Sequence, residues 1–280
     1  MSNSPLASGV VCGALLPHAP ILIPGVGGPR HDDVATTMSA MRKAARSIIA
    51  AAADTLVVIS PHSPRMSKPV GIWRGERLRG SLRAFRVPHL AVDLPADLML
   101  ADIVATLCTR RGLDIVSIAE SSLDHGATVP LWFIAEAGWN RPTTVLAVDC
   151  ADRDTLVALG ETIAEAAAST RRRVALIASG DMSHRLTSGA PLGYDPRGRE
   201  FDCWLVDILK RGAYRDLLQL DPHLEGSAGQ DVIAPLLVVL AALRFSAAGG
   251  ELCSYEAPFG VGYGVAILSR DRTIEFPRID

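Results

Sequence analysis

A short run of apolar, β-branched residues that stops at a histidine limits the folds open to this chain. Residues 56–59 read LVVI, and Ser60 and Pro61 end the run directly before His62. A strand that is apolar on both faces belongs in a parallel sheet, because helices cover both of its sides there. Chemistry in such folds lies beyond the carboxyl ends of the strands, which is the position of His62. His62 is therefore a candidate functional residue.

The same pattern of a strand followed by a histidine occurs twice more. Residues 10–16 predict a strand that runs into His18, which two prolines bracket in a non-helical turn. Residues 174–179 predict a third strand, and His184 follows it after a short polar stretch. One such histidine could simply bond a nearby carbonyl, but three at matching positions favour shared chemistry.

A fourth histidine, His125, comes shortly after the predicted strand at residues 115–119. Four histidines at strand ends could form a metal site, a proton-transfer site, or both. Two imidazoles and one carboxylate on one face of Fe(II) leave positions open for substrate and oxygen, as in non-haem iron oxygenases. The same ligands could bind zinc, and the site could then catalyse a hydrolysis.

The alternation of strand and helix patterns predicts one α/β domain over residues 1–280. We expect a central, largely parallel sheet flanked by helices, with the metal site at the C-terminal ends of its strands. Helices are predicted at 32–53, 95–111, 152–170, 197–211, 214–220 and 230–245, and further strands at 144–149 and 260–268.

Composition argues against several classes of partner. The formal net charge of −2 and the pI of about 6.4 give no reason to expect nucleic acid or an anionic membrane. The longest apolar run, at 233–243, is too short to cross a bilayer, and the first residues lack the features of a signal peptide. Five scattered cysteines without a CxxC pair argue against a disulfide framework, so we expect a reducing, cytoplasmic location.

Residues 63–95 differ from the rest of the chain. Arginine and lysine side chains alternate there with glycine, proline and aromatic residues, without a helical period. Because the segment leaves directly from the His62 turn, it could fold over the site as a lid and offer an arginine to an anionic substrate group. A solvated hairpin with ordinary surface charge would explain the pattern equally well.

Five blocks of the sequence follow one another between residues 10 and 268: LLPHAPILIP, VVISPHS, LDHGATVPL, ASGDMSH and YEAPFGVGYGVAIL. Together they resemble the class III extradiol ring-cleavage dioxygenases, the superfamily of the protocatechuate 4,5-dioxygenase catalytic subunit. The resemblance implies an Fe(II)-dependent enzyme that cleaves a catechol-like or aminophenol-like aromatic ring with O2. It also implies a homo-oligomer or an association with a small companion subunit.

By position, the resemblance implies that His18 and His62 bind iron. It also implies that His184 is the acid/base residue and that His125 lies beside the substrate and oxygen. A neutral histidine near the metal can take a phenolic proton and return one, since its pKa lies close to the working pH. Asp181 could orient His184, or it could be a turn residue that caps the next segment.

The third metal ligand is where this sequence departs from the ring-cleaving members, which use a glutamate ahead of a late helix. The corresponding stretch reads LEGSAGQDVIAPLLVVL, and Asp231 falls closest to the ligand position. Glu225 and Glu256 are less favoured candidates. Each could instead be ordinary: a helix cap, a solvated loop charge, or a partner of a buried backbone amide.

This departure keeps a second hypothesis open. The superfamily also contains Memo-like proteins, which keep the fold and several histidines but have a different third ligand. The runner-up is therefore a Memo-like metal-binding protein without ring-cleavage activity that acts through protein partners. A serine hydrolase built on Ser179 or Ser183 is disfavoured, because the chain lacks a GxSxG elbow and adjacent Ser183 and His184 cannot easily face each other.

Overall fold

Residues 9–62, 70–119, 122–148 and 151–270 are described by the structure, which is a computed structural model. In these ranges the strands are β1 (Gly9–Leu16), β2 (Thr55–Ser60), β3 (Val70–Trp73), β4 (Arg77–Ser81), β5 (Ala91–Pro95), β6 (Ile115–Ile118), β7 (Thr143–Val148), β8 (Arg173–Ser179), β9 (Glu251–Glu256) and β10 (Tyr263–Arg270). The α-helices are α1 (Ala35–Ala50), α2 (Leu98–Arg110), α3 (His125–Glu136), α4 (Arg153–Ser169), α5 (Pro196–Arg211), α6 (Pro222–Ala228) and α7 (Ile233–Ala242).

Eight of the described strands form one sheet in the order β6-β3-β7-β2-β8-β1-β10-β9. The central neighbours β7, β2, β8 and β1 are parallel to one another, and β6 is parallel to β3. Strands β3 and β10 run antiparallel to β7 and β1, and β4 and β5 form a separate hairpin. The predicted single α/β domain with a largely parallel sheet is confirmed.

The hydrophobic core lies on both faces of this sheet, which explains the wholly apolar central strands. Every residue of β2, β7 and β8 is buried. Val57 and Ile59 face the core layer built by α2, α4, α5 and α7, whereas Leu56 and Val58 face the layer built by α1 and α3. Among the described residues, no helix is long and apolar enough to cross a membrane.

Several predicted boundaries were wrong. The helix predicted at 32–53 starts as a 3-10 segment, Gly28–Val34, and is α-helical only in α1. The helix predicted at 230–245 starts at Ile233, because the Gln230 side chain accepts the backbone N–H of Ile233. The segment predicted as helical at 214–220 is a 3-10 helix, Tyr214–Gln219. Strand β9 and helix α6 were not predicted.

The last strand also differs from its prediction. It begins at Tyr263 rather than at residue 260, because Gly260 has a positive φ of 77° and forms a turn. Two glycines at the start of this strand, Gly262 and Gly264, are approached closely by side chains. A Cβ on Gly262 would lie 2.1 Å from Oδ2 of Asp202, and one on Gly264 would lie 2.9 Å from the sulfur of Met182.

The basic segment is more ordered than its composition suggests. Residues 70–73 form β3, an unpredicted strand of the main sheet, and β4 and β5 form the hairpin that was one of the two hypotheses. Residues 63–69 lie outside the described ranges, as does residue 149 at the end of the strand predicted at 144–149.

Candidate metal centre

Three neighbouring strands bring sequence-predicted residues to one edge of the sheet. Strands β2, β8 and β1 lie side by side, and His62, Asp181 and His18 follow their C-terminal ends. Parallel strands end at the same edge, so these side chains meet although they are far apart in the chain. His184 lies further along the loop that leaves β8.

Two ring nitrogens and one carboxylate oxygen face a common point. The Nε2 atoms of His18 and His62 are 3.1 Å apart. Oδ2 of Asp231 lies 3.3 Å from Nε2 of His18 and 3.4 Å from Nε2 of His62. The His18 side chain is 2% exposed, whereas His62 and Asp231 are 36% and 21% exposed, so the group is closed behind His18 and accessible on its other side.

The spacing of these three atoms fits a metal ion. Ligand atoms about 2.1 Å from a metal lie about 3.0 Å apart at octahedral angles and about 3.4 Å apart at tetrahedral angles. The three observed distances of 3.1, 3.3 and 3.4 Å fall in that range. Two imidazoles and a carboxylate also form the facial donor set of non-haem Fe(II) sites, and Zn²⁺ uses the same donors.

Ser179 determines which nitrogen of His18 faces the centre. The Ser179 hydroxyl donates to the carbonyl of Gly126, and its Oγ lies 3.0 Å from Nδ1 of His18. A hydroxyl has only one proton to donate, so Oγ accepts a hydrogen bond from Nδ1–H. This leaves Nε2 of His18 directed at the centre, as is usual for a metal-binding imidazole with a hydrogen-bonded second nitrogen.

Asp181 connects two of the three residues that face the centre. Its backbone N–H donates to Oδ1 of Asp231 at 2.7 Å, and the backbone N–H of Asp231 donates back to the Asp181 carbonyl. The Asp181 carboxylate accepts the backbone N–H of His18 at 2.9 Å. Among the described residues this carboxylate accepts a hydrogen bond from His18 and interacts electrostatically with His184, and the two roles suggested by the sequence, orienting His184 and capping a turn, stay predictions.

The two alternative carboxylates lie elsewhere. Oε2 of Glu225 pairs with Arg153 at 2.6 Å. Oε1 of Glu256 accepts hydrogen bonds from the backbone and hydroxyl of Thr37 at the start of α1. Of the three proposed third ligands, Asp231 is the one that the structure brings beside both histidines.

The electrostatics around His18 favour positive charge at the centre. Burial alone would lower the pKa of His18, but the carboxylates of Asp181 and Asp231 outweigh it and raise the pKa to about 9. Burial would raise the pKa of Asp231, but His18 and its hydrogen bond hold that pKa below its ordinary value. A protonated His18 therefore balances Asp231 in the metal-free protein, and a metal would replace this proton.

His125 is the first residue of α3, and its side chain completes a group of three imidazoles. Asp124 caps the helix by accepting the backbone N–H of Ala127. The His125 ring lies 4.5 Å from that of His62 and 5.4 Å from that of His18, between centroids. Burial, together with the charge on the other two histidines, lowers the pKa of His125 to about 4, so His125 is neutral at neutral pH.

His184 is half-buried, and its Nδ1 is buried with no hydrogen-bond partner among the described residues. An ordered water is the usual partner of such a buried nitrogen. Asp202 on α5 fixes the backbone next to His184. Its Oδ1 accepts the backbone N–H of Ser183, the residue before His184, at 2.8 Å. Its Oδ2 accepts the hydroxyl of Tyr255 at 2.6 Å, and burial raises the pKa of Asp202 to about 6.

Sequence reasoning missed the residues that support the histidines. Oγ of Ser60 accepts the backbone N–H of His62 at 3.2 Å and donates to Asp124 at 3.1 Å, which links the β2 turn to the cap of α3. Asp124 could have been found, since aspartate is a typical N-cap residue and Asp124 directly precedes α3. Ser60 carries no signal that separates it from any serine at a strand end.

Comparisons with known proteins show the family and the fold that the chain shares. Protein CA_C1420 of Clostridium acetobutylicum is 30% identical over 266 residues, which cover 91% of this chain and 56% of that protein, so the chain spans about half of its length. The crystal structure of uncharacterized protein JW3007 from Escherichia coli K12 has a TM-score of 0.58 and 17% identity, covers 92% of this chain and 98% of its own, and shows likeness of fold alone. The profile of a family described as the catalytic LigB subunit of aromatic ring-opening dioxygenase matches residues 12–266. That match includes every residue of the candidate centre, and the chain belongs to this LigB family.

Proposed function

We propose that this protein is an Fe(II)-dependent extradiol dioxygenase that opens a catechol-like or aminophenol-like ring with O2. The observation that carries the proposal is the convergence of Nε2 of His18, Nε2 of His62 and Oδ2 of Asp231 within 3.1 to 3.4 Å of one another. Membership of a family of aromatic ring-opening dioxygenases supports the reaction class.

In this proposal His18, His62 and Asp231 hold the iron, which would supply binding positions for the substrate oxygens and for O2. Ser179 and Asp181 keep His18 in place through its Nδ1–H and its backbone N–H. The partly exposed sides of His62 and Asp231 leave the approach to the centre open to a planar ring.

Proton transfer is assigned to His184 and hydrogen bonding to His125. His184, which interacts electrostatically with Asp231 and His62, takes a phenolic proton from the substrate and later returns a proton to the ring-opened product. His125 has a pKa lowered to about 4, so it can donate a hydrogen bond to a substrate oxygen without bringing a positive charge beside the centre. The two histidines thus have different roles.

The second candidate is a Memo-like metal-binding protein that acts through protein partners without opening a ring. One observation favours it: an aspartate, rather than the glutamate of the ring-cleaving members, is the carboxylate beside the two histidines. Aspartate is one methylene shorter, and it reaches the centre here because its backbone is paired with Asp181.

Anaerobic reconstitution with Fe(II) separates these candidates. The protein is exposed to O2 with a set of catechols and aminophenols, while oxygen uptake and the absorbance of ring-opened product are followed. We expect both signals in the wild type and in Glu225→Gln, and neither in His184→Ala or Asp231→Ala. Tight metal binding without oxygen uptake on any substrate would favour the Memo-like candidate.

We also propose that the protein is located in the cytoplasm and that it forms an oligomer. Among the described cysteines, Cys12, Cys108 and Cys203 are free thiols, which suits a reducing compartment. A homo-oligomer, or an association with a small companion subunit, is testable by light scattering of the purified protein and of the protein isolated from its native cells.

A further inference from the structure

A cavity of about 720 Å³ opens on the surface at the far end of α7 from the candidate metal centre. It is formed by α4, the C-terminal end of α7 and the 3-10 helix Tyr214–Gln219. Ligand cavities in proteins commonly have volumes of about 300–1000 Å³, so this one is large enough for a small molecule. Helix α7 begins two residues after Asp231 and has ten residues, so about 15 Å of helix separates the two sites.

The wall of this cavity is apolar on the side of α4. Val157, Ala164 and Ala168 line it from one face of that helix. The helix is held firmly against α7, because a Cβ on Gly160 would lie only 2.3 Å from the carbonyl oxygen of Val238. Sites built on packed helices hold their side chains more precisely than sites built on loops.

The two acidic side chains at the cavity are already neutralised. Arg111 at the end of α2 lies 2.6 Å from Oε2 of Glu165 and 3.8 Å from Oε2 of Glu161. One arginine thus faces both glutamates of α4, and their charges do not compete for the other cations of the lining.

Two further arginines of the lining form no ion pair among the described residues. They are Arg215 and Arg244, and both are exposed. The guanidinium carbon of Arg215 lies 4.9 Å from the centroid of the Phe245 ring. A guanidinium stacked on an aromatic face keeps the N–H groups at its edge available for an anion. The cavity therefore combines an apolar wall with two cations that lack an acidic partner.

The backbone that carries this arrangement is unusual. Helix α7 ends in a Schellman motif, in which the backbone N–H of Phe245 donates to the Leu240 carbonyl and that of Arg244 donates to the Ala241 carbonyl. Glycine usually follows the helix in this motif, because the left-handed conformation is unfavourable for residues with a Cβ. Here Arg244 and Phe245 have φ values of 55° and 56°. Glycine would relieve this strain but would supply neither the guanidinium nor the ring, and strained residues of this kind often occur at ligand sites.

We propose that this cavity is a second ligand site, which binds an organic anion with an apolar body. Arg215 and Arg244 bind its carboxylate or sulfonate through charge-assisted hydrogen bonds, and its apolar part packs against Phe245 and the apolar face of α4. The site is separate from the candidate metal centre, so its occupation does not depend on ring cleavage.

The experiment is a fluorescence titration of the whole chain with two probes that share one ring system. 8-Anilinonaphthalene-1-sulfonate has an anionic group, whereas N-phenyl-1-naphthylamine lacks it. We expect the sulfonate to bind at least about tenfold more tightly to the wild type. Arg215→Gln and Arg244→Gln together should bring the ratio of the two affinities close to one. Arg110→Gln is the matched control, since Arg110 is an exposed arginine at the end of α2 that does not line the cavity.

Two further variants locate the bound probe. Ala168→Trp places a large side chain in the cavity from an exposed position, and it should weaken the binding of both probes at least about tenfold. Asp231→Ala should change neither affinity, because Asp231 is about one helix length away. Circular dichroism checks that each variant is folded.

Equal affinities of the two probes for the wild type, or a preference for the sulfonate that persists in the double arginine variant, would overturn the inference. Unchanged binding in Ala168→Trp would also overturn it, because the probe would then lie elsewhere. Loss of binding in Asp231→Ala would place the probe at the metal centre and contradict a second site.

Discussion

Oγ of Ser179 lies 3.0 Å from Nδ1 of His18 and donates its own proton to the carbonyl of Gly126. One hydroxyl therefore joins β8, the turn after β1 and the first turn of α3. Because its Oγ accepts a hydrogen bond from Nδ1–H, it also keeps Nε2 of His18 directed towards His62 and Asp231. The geometry of the candidate centre depends on this residue, although it does not face the metal position.

Replacement of Ser179 by alanine should weaken metal binding without unfolding the protein. Residues that orient a metal-binding histidine typically contribute about 10- to 100-fold in metal affinity, and we expect a loss of that size. Competition with a chelator for Zn²⁺ measures it. Ser269→Ala is the control, since Ser269 is a buried serine that donates to the Ala248 carbonyl near the opposite end of the sheet. Equal affinities of the two variants would contradict this role.

The third ligand is testable by comparing the three carboxylates. Asp231→Ala should abolish tight metal binding, because only two imidazoles remain at the centre. Glu225→Gln and Glu256→Gln should retain it. Glu256→Gln should instead lower the free energy of unfolding by about 1 kcal/mol, because Glu256 bonds Thr37 at the start of α1. Chelator competition and urea denaturation separate these effects, and a metal-free Glu256→Gln protein would contradict the assignment.

Metal binding should release a proton from His18. The carboxylates of Asp181 and Asp231 overcome the effect of burial and raise the pKa of His18 to about 9, so Nε2 is protonated at neutral pH in the metal-free protein. Apparent metal affinity should then rise about tenfold per pH unit between about pH 7 and pH 9. The stabilisation from charged His18 is complete below its ordinary pKa of 6.5 and is lost as pH rises through about 9.

Calorimetric titration of Zn²⁺ in buffers with different ionisation enthalpies counts the released protons. We expect about one proton per metal ion at pH 7 from His18, since burial already keeps the pKa of His62 below its ordinary value. An affinity that does not change with pH would show that His18 is not protonated in the metal-free protein.

The sheet could be predicted from sequence because its central strands are apolar on both faces. Residues 56–59 and 174–179 have no alternative to burial, so their positions in the sheet follow directly. Strand β3 could not be found in the same way. It has four residues, VGIW, in an arginine-rich segment, and its place between β6 and β7 depends on partners elsewhere in the chain.

The histidines could be predicted because strand ends place them at one edge, but their supporting contacts could not. Ser179 and His18 are 161 positions apart, and their contact requires both the sheet order and a particular side-chain orientation. The link from Asp202 to Ser183 likewise joins α5 to the loop after β8. The sequence pattern reports burial and periodicity, and neither determines which polar atoms meet.

The hydrogen bond from Tyr255 to Asp202 gives a final prediction. Asp202 is 1% exposed, and its two oxygens accept from Ser183 and Tyr255 at 2.8 and 2.6 Å. Tyr255→Phe removes one donor and leaves a buried carboxylate oxygen unpaired, so we expect the free energy of unfolding to fall by about 1–3 kcal/mol at pH 8. Tyr194→Phe, at a tyrosine that is 63% exposed, should have little effect.

This loss of stability should depend on pH in a defined direction. Burial raises the pKa of Asp202 from 3.8 to about 6, and loss of the Tyr255 hydroxyl should raise it further, because that bond favours the charged form. The favourable contribution of the neutral carboxyl is complete below pH 3.8 and is lost as pH rises through the folded-state pKa. The difference between wild type and Tyr255→Phe should therefore be larger at pH 8 than at pH 5. Urea denaturation of both proteins at the two pH values measures this difference in the free energy of unfolding. Equal differences at pH 5 and pH 8 would show that the Tyr255 hydroxyl does not favour the charged form of Asp202.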